Sequence, residues 1–276
     1  MKQRLITSAF ILAVTVPILI FSQYIIYPIV LSVLAVGGVF EALRVLGTER
    51  AWFISVPAYL IAAALPIGLY LGREYLVESL LACAFIILAY LVYLFSLAVV
   101  ERGELKLSTV AQVFAWVTYI VSSFTAATLI RYIDGGIYCV ALIFIASWIC
   151  DVFAYITGSL FGRHKLIPEV SPKKTVEGSI GGIVFATAAF VLYGFLIGHL
   201  VENVTPNYLI LALSGILLSV VSQVGDLVAS LLKREHGVKD YGKIFPGHGG
   251  VLDRFDSVMA VSCMLMIICI AAPPFS

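Results

Sequence analysis

The chain is 276 residues long, 62% hydrophobic and only 12% charged, with a formal net charge of +1. Soluble domains run at roughly 45–50% apolar and about 25% charged. So little charge cannot cover a water-facing surface of this size, which excludes an ordinary soluble globule and puts lipid in place of much of the water.

A membrane-spanning helix needs about 20 mostly apolar residues. That ruler predicts nine spans, at about Leu5–Phe21, Ile25–Leu46, Trp52–Leu71, Leu76–Val100, Val110–Ile130, Ile137–Phe161, Ile180–Leu200, Tyr208–Leu232 and Val258–Ala272. The opening Met1-Lys-Gln-Arg4 before an apolar run has the look of a signal peptide. No small-residue cleavage site follows it, so it reads as a first span or signal anchor. With the N-terminus in the cytoplasm, fifteen of the 17 basic residues fall on the cytoplasmic side, and only Arg73 and Arg131 fall opposite. That asymmetry is what the positive-inside rule demands. The expected architecture is therefore all-α: a polytopic helical bundle of about nine spans, N-terminus cytoplasmic, in the inner or plasma membrane. It reads as one compact membrane domain, with residues 1–136 as scaffold and residues 137–276 as the catalytic region. The five cysteines all lie in or beside apolar runs without a CxxC pair, and read as small buried hydrophobes.

From Asp151 onward the character changes. Asp151 sits in or at the end of the sixth span, ahead of Gly158, Gly162, Arg163 and Lys165. A carboxylate beside lipid is a functional candidate by default, the alternative being a packing or tethering role. Next comes the loop Ser171-Pro-Lys-Lys-Thr-Val-Glu-Gly178, directly before a helix. A helix N-terminus offers free N–H groups to phosphate, and Lys173 and Lys174 add compact positive charge. Glu177 reads equally as a cap of that helix, with Thr175 near the N-cap; an ordinary basic loop facing anionic headgroups is the plain alternative.

The third feature runs from Gly225-Asp226 through Ser230, Lys233, Arg234, Lys239 and Asp240 to Pro246-Gly-His-Gly-Gly250, then Asp253, Arg254 and Asp256. Asp226, Ser230 and Lys233 are spaced i, i+4, i+7 and share a helix face, and Asp253 and Asp256 are i, i+3. Three carboxylates brought together make the hard-oxygen cluster that Mg²⁺ prefers, and neighbouring Lys and Arg side chains suit phosphates. The alternative is a set of structural ion pairs on a solvated loop. His248, between glycines, reads equally as a ligand, a base or a turn residue, while His164, His199 and His236 read as isolated.

These residues resemble the phosphatidate cytidylyltransferase (CDP-diacylglycerol synthase) family. Its signature, S-x-x-K-R-x-x-x-x-K-D-x-x-x-x-x-P-G-H-G-G-x-x-D-R-x-D, is matched without a gap from Ser230 to Asp256. The stretch Ser171-Pro-Lys-Lys-Thr175 with Glu177-Gly178 is similar to the family's upstream loop. The resemblance implies that CTP and phosphatidic acid give CDP-diacylglycerol and pyrophosphate with Mg²⁺. It implies metal ligation by Asp226, Asp253 and Asp256, and phosphate binding by Lys173, Lys174, Lys239 and Arg254. Ser171, Thr175, Ser230, Lys233, Arg234 and His248 are the further substrate-binding candidates. Expected partners are CTP, phosphatidic acid and membrane lipids, without nucleic acid; a homodimer is allowed. A transporter would place its polar groups near the midplane, in broken paired helices. The D-G-x-x-A-R pattern of CDP-alcohol phosphotransferases is absent.

The charge split makes a prediction. A reporter fused after Ser276 should read as external; a cytoplasmic reading would refute an odd number of spans.

Overall fold

In lipid a helix satisfies its own backbone N–H and C=O groups, which few other structures can do. The computed structural model describes residues 21–101, 105–242 and 249–276, with Pro17, Leu19 and Ile244. Among those residues eight helices are long and apolar enough to cross a membrane. They are α1 (Ile26–Val45), α2 (Trp52–Leu71), α3 (Leu76–Val100), α4 (Leu107–Tyr132), the continuous run Gly136–Phe161, α7 (Val176–Leu200), α8 (Tyr208–Glu235) and α9 (Leu252–Ala271). The run Gly136–Phe161 consists of α5 (Gly136–Phe144), a π-helical turn (Ile145–Ile149) and α6 (Cys150–Phe161). These eight answer to the second through ninth expected spans. The first, Leu5–Phe21, lies almost wholly outside the described residues.

One departure from an all-helical chain is a short hairpin. Strands β1 (Lys165–Ile167) and β2 (Ser171–Thr175) pair antiparallel, Lys165 opposite Thr175 and Ile167 opposite Ser171. Chain leaving an apolar helix end must still pair its backbone groups, and the hairpin does so within the loop that the sequence marks as basic.

The chain divides into two compact units. The first comprises residues 1–129 and 236–254. In it α1 packs along α2, and α2 along α3. Its apolar core includes Ala35, Val39, Leu43, Ile54, Leu94 and Ile120, all essentially inaccessible. α1 ends on Gly47 at φ +71, with Gly47 N–H donating to Arg44 and Thr48 N–H to Leu43. This is the left-handed stop that glycine makes at low cost.

The second unit comprises residues 130–235 and 255–276. Its centre is α7, flanked by α6 and α8, with the π-helical turn against both α7 and α8. α7 has small residues where α6 crosses. A Cβ at Gly182 would stand 2.8 Å from the Cys150 carbonyl oxygen and 3.1 Å from Ala154 Cβ. Close approach of this kind is how helices gain packing in lipid, where burial of apolar surface drives little. Gly182→Ala should therefore separate α6 from α7 and destabilise the protein by about 1–3 kcal/mol, as overpacking does; thermal melting in detergent measures it, and an unchanged midpoint would refute the contact.

Candidate functional site

The hairpin turns the loop back on itself and positions the start of α7. Val176 N–H donates to the His164 carbonyl at 3.0 Å. Thr175 has extended backbone, and its Oγ1 accepts from Gly178 N–H at 3.1 Å, so it is the N-cap of α7. Glu177 serves another element than its own helix. It accepts the Arg163 and His164 N–H groups at 3.1 and 3.2 Å, and meets His164 Nδ1 at 2.7 Å. His164, read from sequence as isolated, is thus paired, because the hairpin brings residue 164 beside the start of α7.

Behind the hairpin lies a cavity of about 370 Å³, lined by Asp151, Tyr155, Ser171, Lys173, Lys174, Thr175, Ser179 and Gln223 with small apolar neighbours. Asp151, Ala154, Tyr155 and Gly158 all line it, at i, i+3, i+4 and i+7, so one face of α6 forms the wall. The π-helical turn just before α6 adds a residue to the helical repeat and sets that register; such bulges recur at functional sites. Gln223 of α8 donates to the Ser179 carbonyl at 3.3 Å, tying α8 to the first turn of α7.

Lys174 reaches from β2 to Asp226 of α8 as an ion pair, the two side chains 24% and 28% exposed. Lys173, its neighbour, is exposed. Asp226 also stands close enough to Asp256 on α9 for the two carboxylates to interact electrostatically. The approach depends on Gly225, where a Cβ would lie 2.7 Å from Ala260 Cβ and 2.9 Å from the Asp256 carbonyl oxygen. The hydroxyls of Ser222 and Ser257 flank the two carboxylates in sequence, and both are buried without a hydrogen-bond partner. Carboxylate oxygens such as those of Asp226 and Asp256 are the donors that a hard divalent cation takes. Among the described residues no group of three or more His, Cys, Asp or Glu side chains gathers to hold a metal.

Other expected site residues are placed as follows. Ser230 is half-buried, Lys233 is buried, and Arg234 is exposed at the end of α8. In the first unit, Lys239, Asp240 and Arg254 are exposed. Asp253, 9% exposed, belongs to that unit too. Its Oδ2 accepts Tyr241 N–H at 2.7 Å and Gly250 N–H at 2.9 Å. His248, with Pro246 and Gly247, lies outside the described residues. Two residues with clear roles escaped the sequence reading. Gln223 carries no signal in an apolar helix. Glu41, fully buried in α1, did carry one: it is an acidic residue within a predicted span, the same rule that singled out Asp151.

A family model described as the cytidylyltransferase family matches residues 2–271. The chain is 34% identical to a phosphatidate cytidylyltransferase of Staphylococcus haemolyticus over 279 residues, covering 98% of this chain and 99% of that relative. It is 33% identical to the phosphatidate cytidylyltransferase of Staphylococcus saprophyticus over 278 residues, with the same coverage. The one from Staphylococcus aureus strain COL is 33% identical over 276 residues, again covering 98% and 99%.

The Lys174–Asp226 pair makes a prediction. Lys174→Met leaves Asp226 beside Asp256 without its ammonium partner and should destabilise the protein, whereas Lys173→Met should not. Adding Asp226→Asn should recover part of the loss, with a coupling of about 0.5–3 kcal/mol in a double-mutant cycle. Strict additivity in thermal denaturation would refute the pairing.

Proposed function

The chain belongs to the cytidylyltransferase family, and we propose that it transfers CMP from CTP to phosphatidic acid, giving CDP-diacylglycerol and pyrophosphate at the cytoplasmic face of the membrane. The full-length match to phosphatidate cytidylyltransferases supports the reaction. The observation that carries the site is the cavity behind the hairpin, bounded by Asp151, Lys173 and Lys174, with Lys174 paired to Asp226. The positive-inside distribution of Lys and Arg supports the orientation.

In the transfer a phosphate oxygen of phosphatidic acid forms a bond to the α-phosphorus of CTP, and the bond from that phosphorus to the bridging oxygen of pyrophosphate breaks. No protein nucleophile is required, because the lipid phosphate is already an anion. The difficulty is charge: both reactants are polyanions, and the transition state adds no positive partner of its own. Catalysis then rests on cations placed beforehand. Lys173 and Lys174 from β2, with Lys239 and Arg254, neutralise phosphate oxygens. Ser171, Thr175, Ser230, Lys233, Arg234 and His248 complete the binding set. Asp226 and Asp256, with Asp253 as the resemblance implies, would hold Mg²⁺, which would supply concentrated positive charge to the phosphates. On this reading residues 137–276 carry most of the chemistry and residues 1–136 the scaffold.

The purified protein in mixed micelles should convert labelled CTP and phosphatidic acid to CDP-diacylglycerol, and EDTA should stop it. Asp226→Asn and Asp253→Asn remove charge at nearly constant shape and should abolish turnover in folded protein; Asp256→Asn should be less damaging. Lys173→Ala should lower kcat/KM by about 10- to 100-fold, the worth of one charged hydrogen bond of roughly 1.5–3 kcal/mol. Full activity in both Asp226→Asn and Asp253→Asn would overturn the site.

A further inference from the structure

α1 carries the one fully buried carboxylate of the first unit among the described residues, Glu41 at 0% exposure. Its partners lie about 210 residues away in sequence. Oε1 accepts Val251 N–H at 3.0 Å and Oε2 accepts Leu252 N–H at 2.9 Å. Leu252 is the first residue of α9, so Glu41 satisfies amides that a helix start leaves without intrahelical partners. Its negative charge also stands at the favourable end of the helix dipole.

Arg44 lies one turn along α1, on the same face. Its guanidinium donates to the Tyr241 carbonyl. Tyr241 N–H in turn donates to Asp253, whose Oδ2 also holds Gly250 N–H. So α1 grips the chain at Tyr241 through Arg44 and at Val251–Leu252 through Glu41, and Asp253 closes the gap between the two ends.

The glycines on both sides are what this grip requires. At Gly37 and Gly38 of α1 a Cβ would come 3.2 Å from Val251 and 3.1 Å from Leu252, so α1 can lie directly against the start of α9. A side chain at Gly242 or Gly250 would overlap the Glu41 carboxylate itself. Gly249 has φ +87, and a Cβ there would stand 2.7 Å from Asp253 Oδ2. The paired glycines at 249 and 250 thus have separate reasons: the first the backbone angle and Asp253, the second the carboxylate of Glu41.

We infer that Glu41 and Arg44 are positioning residues for the transfer reaction: they hold Tyr241 and residues 249–252 so that Asp253 is presented in one fixed orientation. The inference rests on the proposed reaction for its readout, and it draws into the catalytic machinery a helix otherwise assigned to the scaffold. Both act through the backbone that they hold. A partner that orients a metal- or phosphate-binding side chain is commonly worth 10–100-fold in activity.

Glu41→Gln is nearly isosteric, but its amide NH₂ faces a backbone N–H where a second acceptor is needed. Arg44 is exposed, so Arg44→Gln opens no cavity in the core. In each variant kcat/KM for CTP should fall by about 10- to 100-fold per folded enzyme, and the Mg²⁺ concentration for half-maximal rate should rise. Amide hydrogen exchange of the peptide spanning residues 249–254 should accelerate in the same variants. A purely structural role would lower yield and melting temperature while leaving both kinetic constants at wild-type values per folded enzyme; that result in both variants overturns the inference, whatever the exchange shows. If Glu41→Gln fails to fold, Arg44→Gln decides alone. A wild type that makes no CDP-diacylglycerol overturns the reaction and the positioning role with it, whereas an active wild type with unaffected variants overturns only the latter.

Discussion

A carboxylate set among apolar helices must be given hydrogen-bond donors or a cation, since burying it bare costs several kcal/mol. Much of the local architecture follows from meeting that demand. Glu41 receives two amides at the start of α9. Asp253 receives the amides of Tyr241 and Gly250. Asp226 receives the Lys174 ammonium, and Glu177 receives two amides across the hairpin. Several of these solutions tie a helix to a loop or helix start elsewhere in the chain, Glu41 across about 210 residues.

The same economy explains where the irregular backbone lies. Helices carry the chain through the apolar layer because they leave no N–H or C=O unpaired. The π-helical turn at Ile145–Ile149 and the β1–β2 hairpin bracket the cavity that Asp151, Lys173 and Lys174 line. The small residues follow suit. Gly182 admits α6, Gly225 admits α9, and Gly250 admits the carboxylate of Glu41. Each stands where two polar-bearing elements must come closer than side chains permit.

An enzyme that joins a lipid phosphate to a nucleotide needs little acid–base machinery and much fixed positive charge. On the proposed reaction, Lys173 and Lys174 answer that need from a strand pinned by its own hairpin. Rigid support of this kind keeps charge in place without reorganisation at the moment of reaction.

Hydropathy and charge asymmetry, both local and additive along the chain, were enough to predict eight of the helices and the membrane class. Motif spacing was enough to identify the family. Pairing was another matter. That Lys174 meets Asp226, that His164 meets Glu177, and that the basic loop is a hairpin depend on which backbone groups come together in space. Glu41 marks the boundary most clearly. An acidic residue in an apolar span is visible in the sequence as an expense needing a partner, but its partners are main-chain amides at Val251 and Leu252. Backbone amides are the same at every position, so no residue type announces them; only the tertiary packing of α1 against the start of α9 decides that they are there.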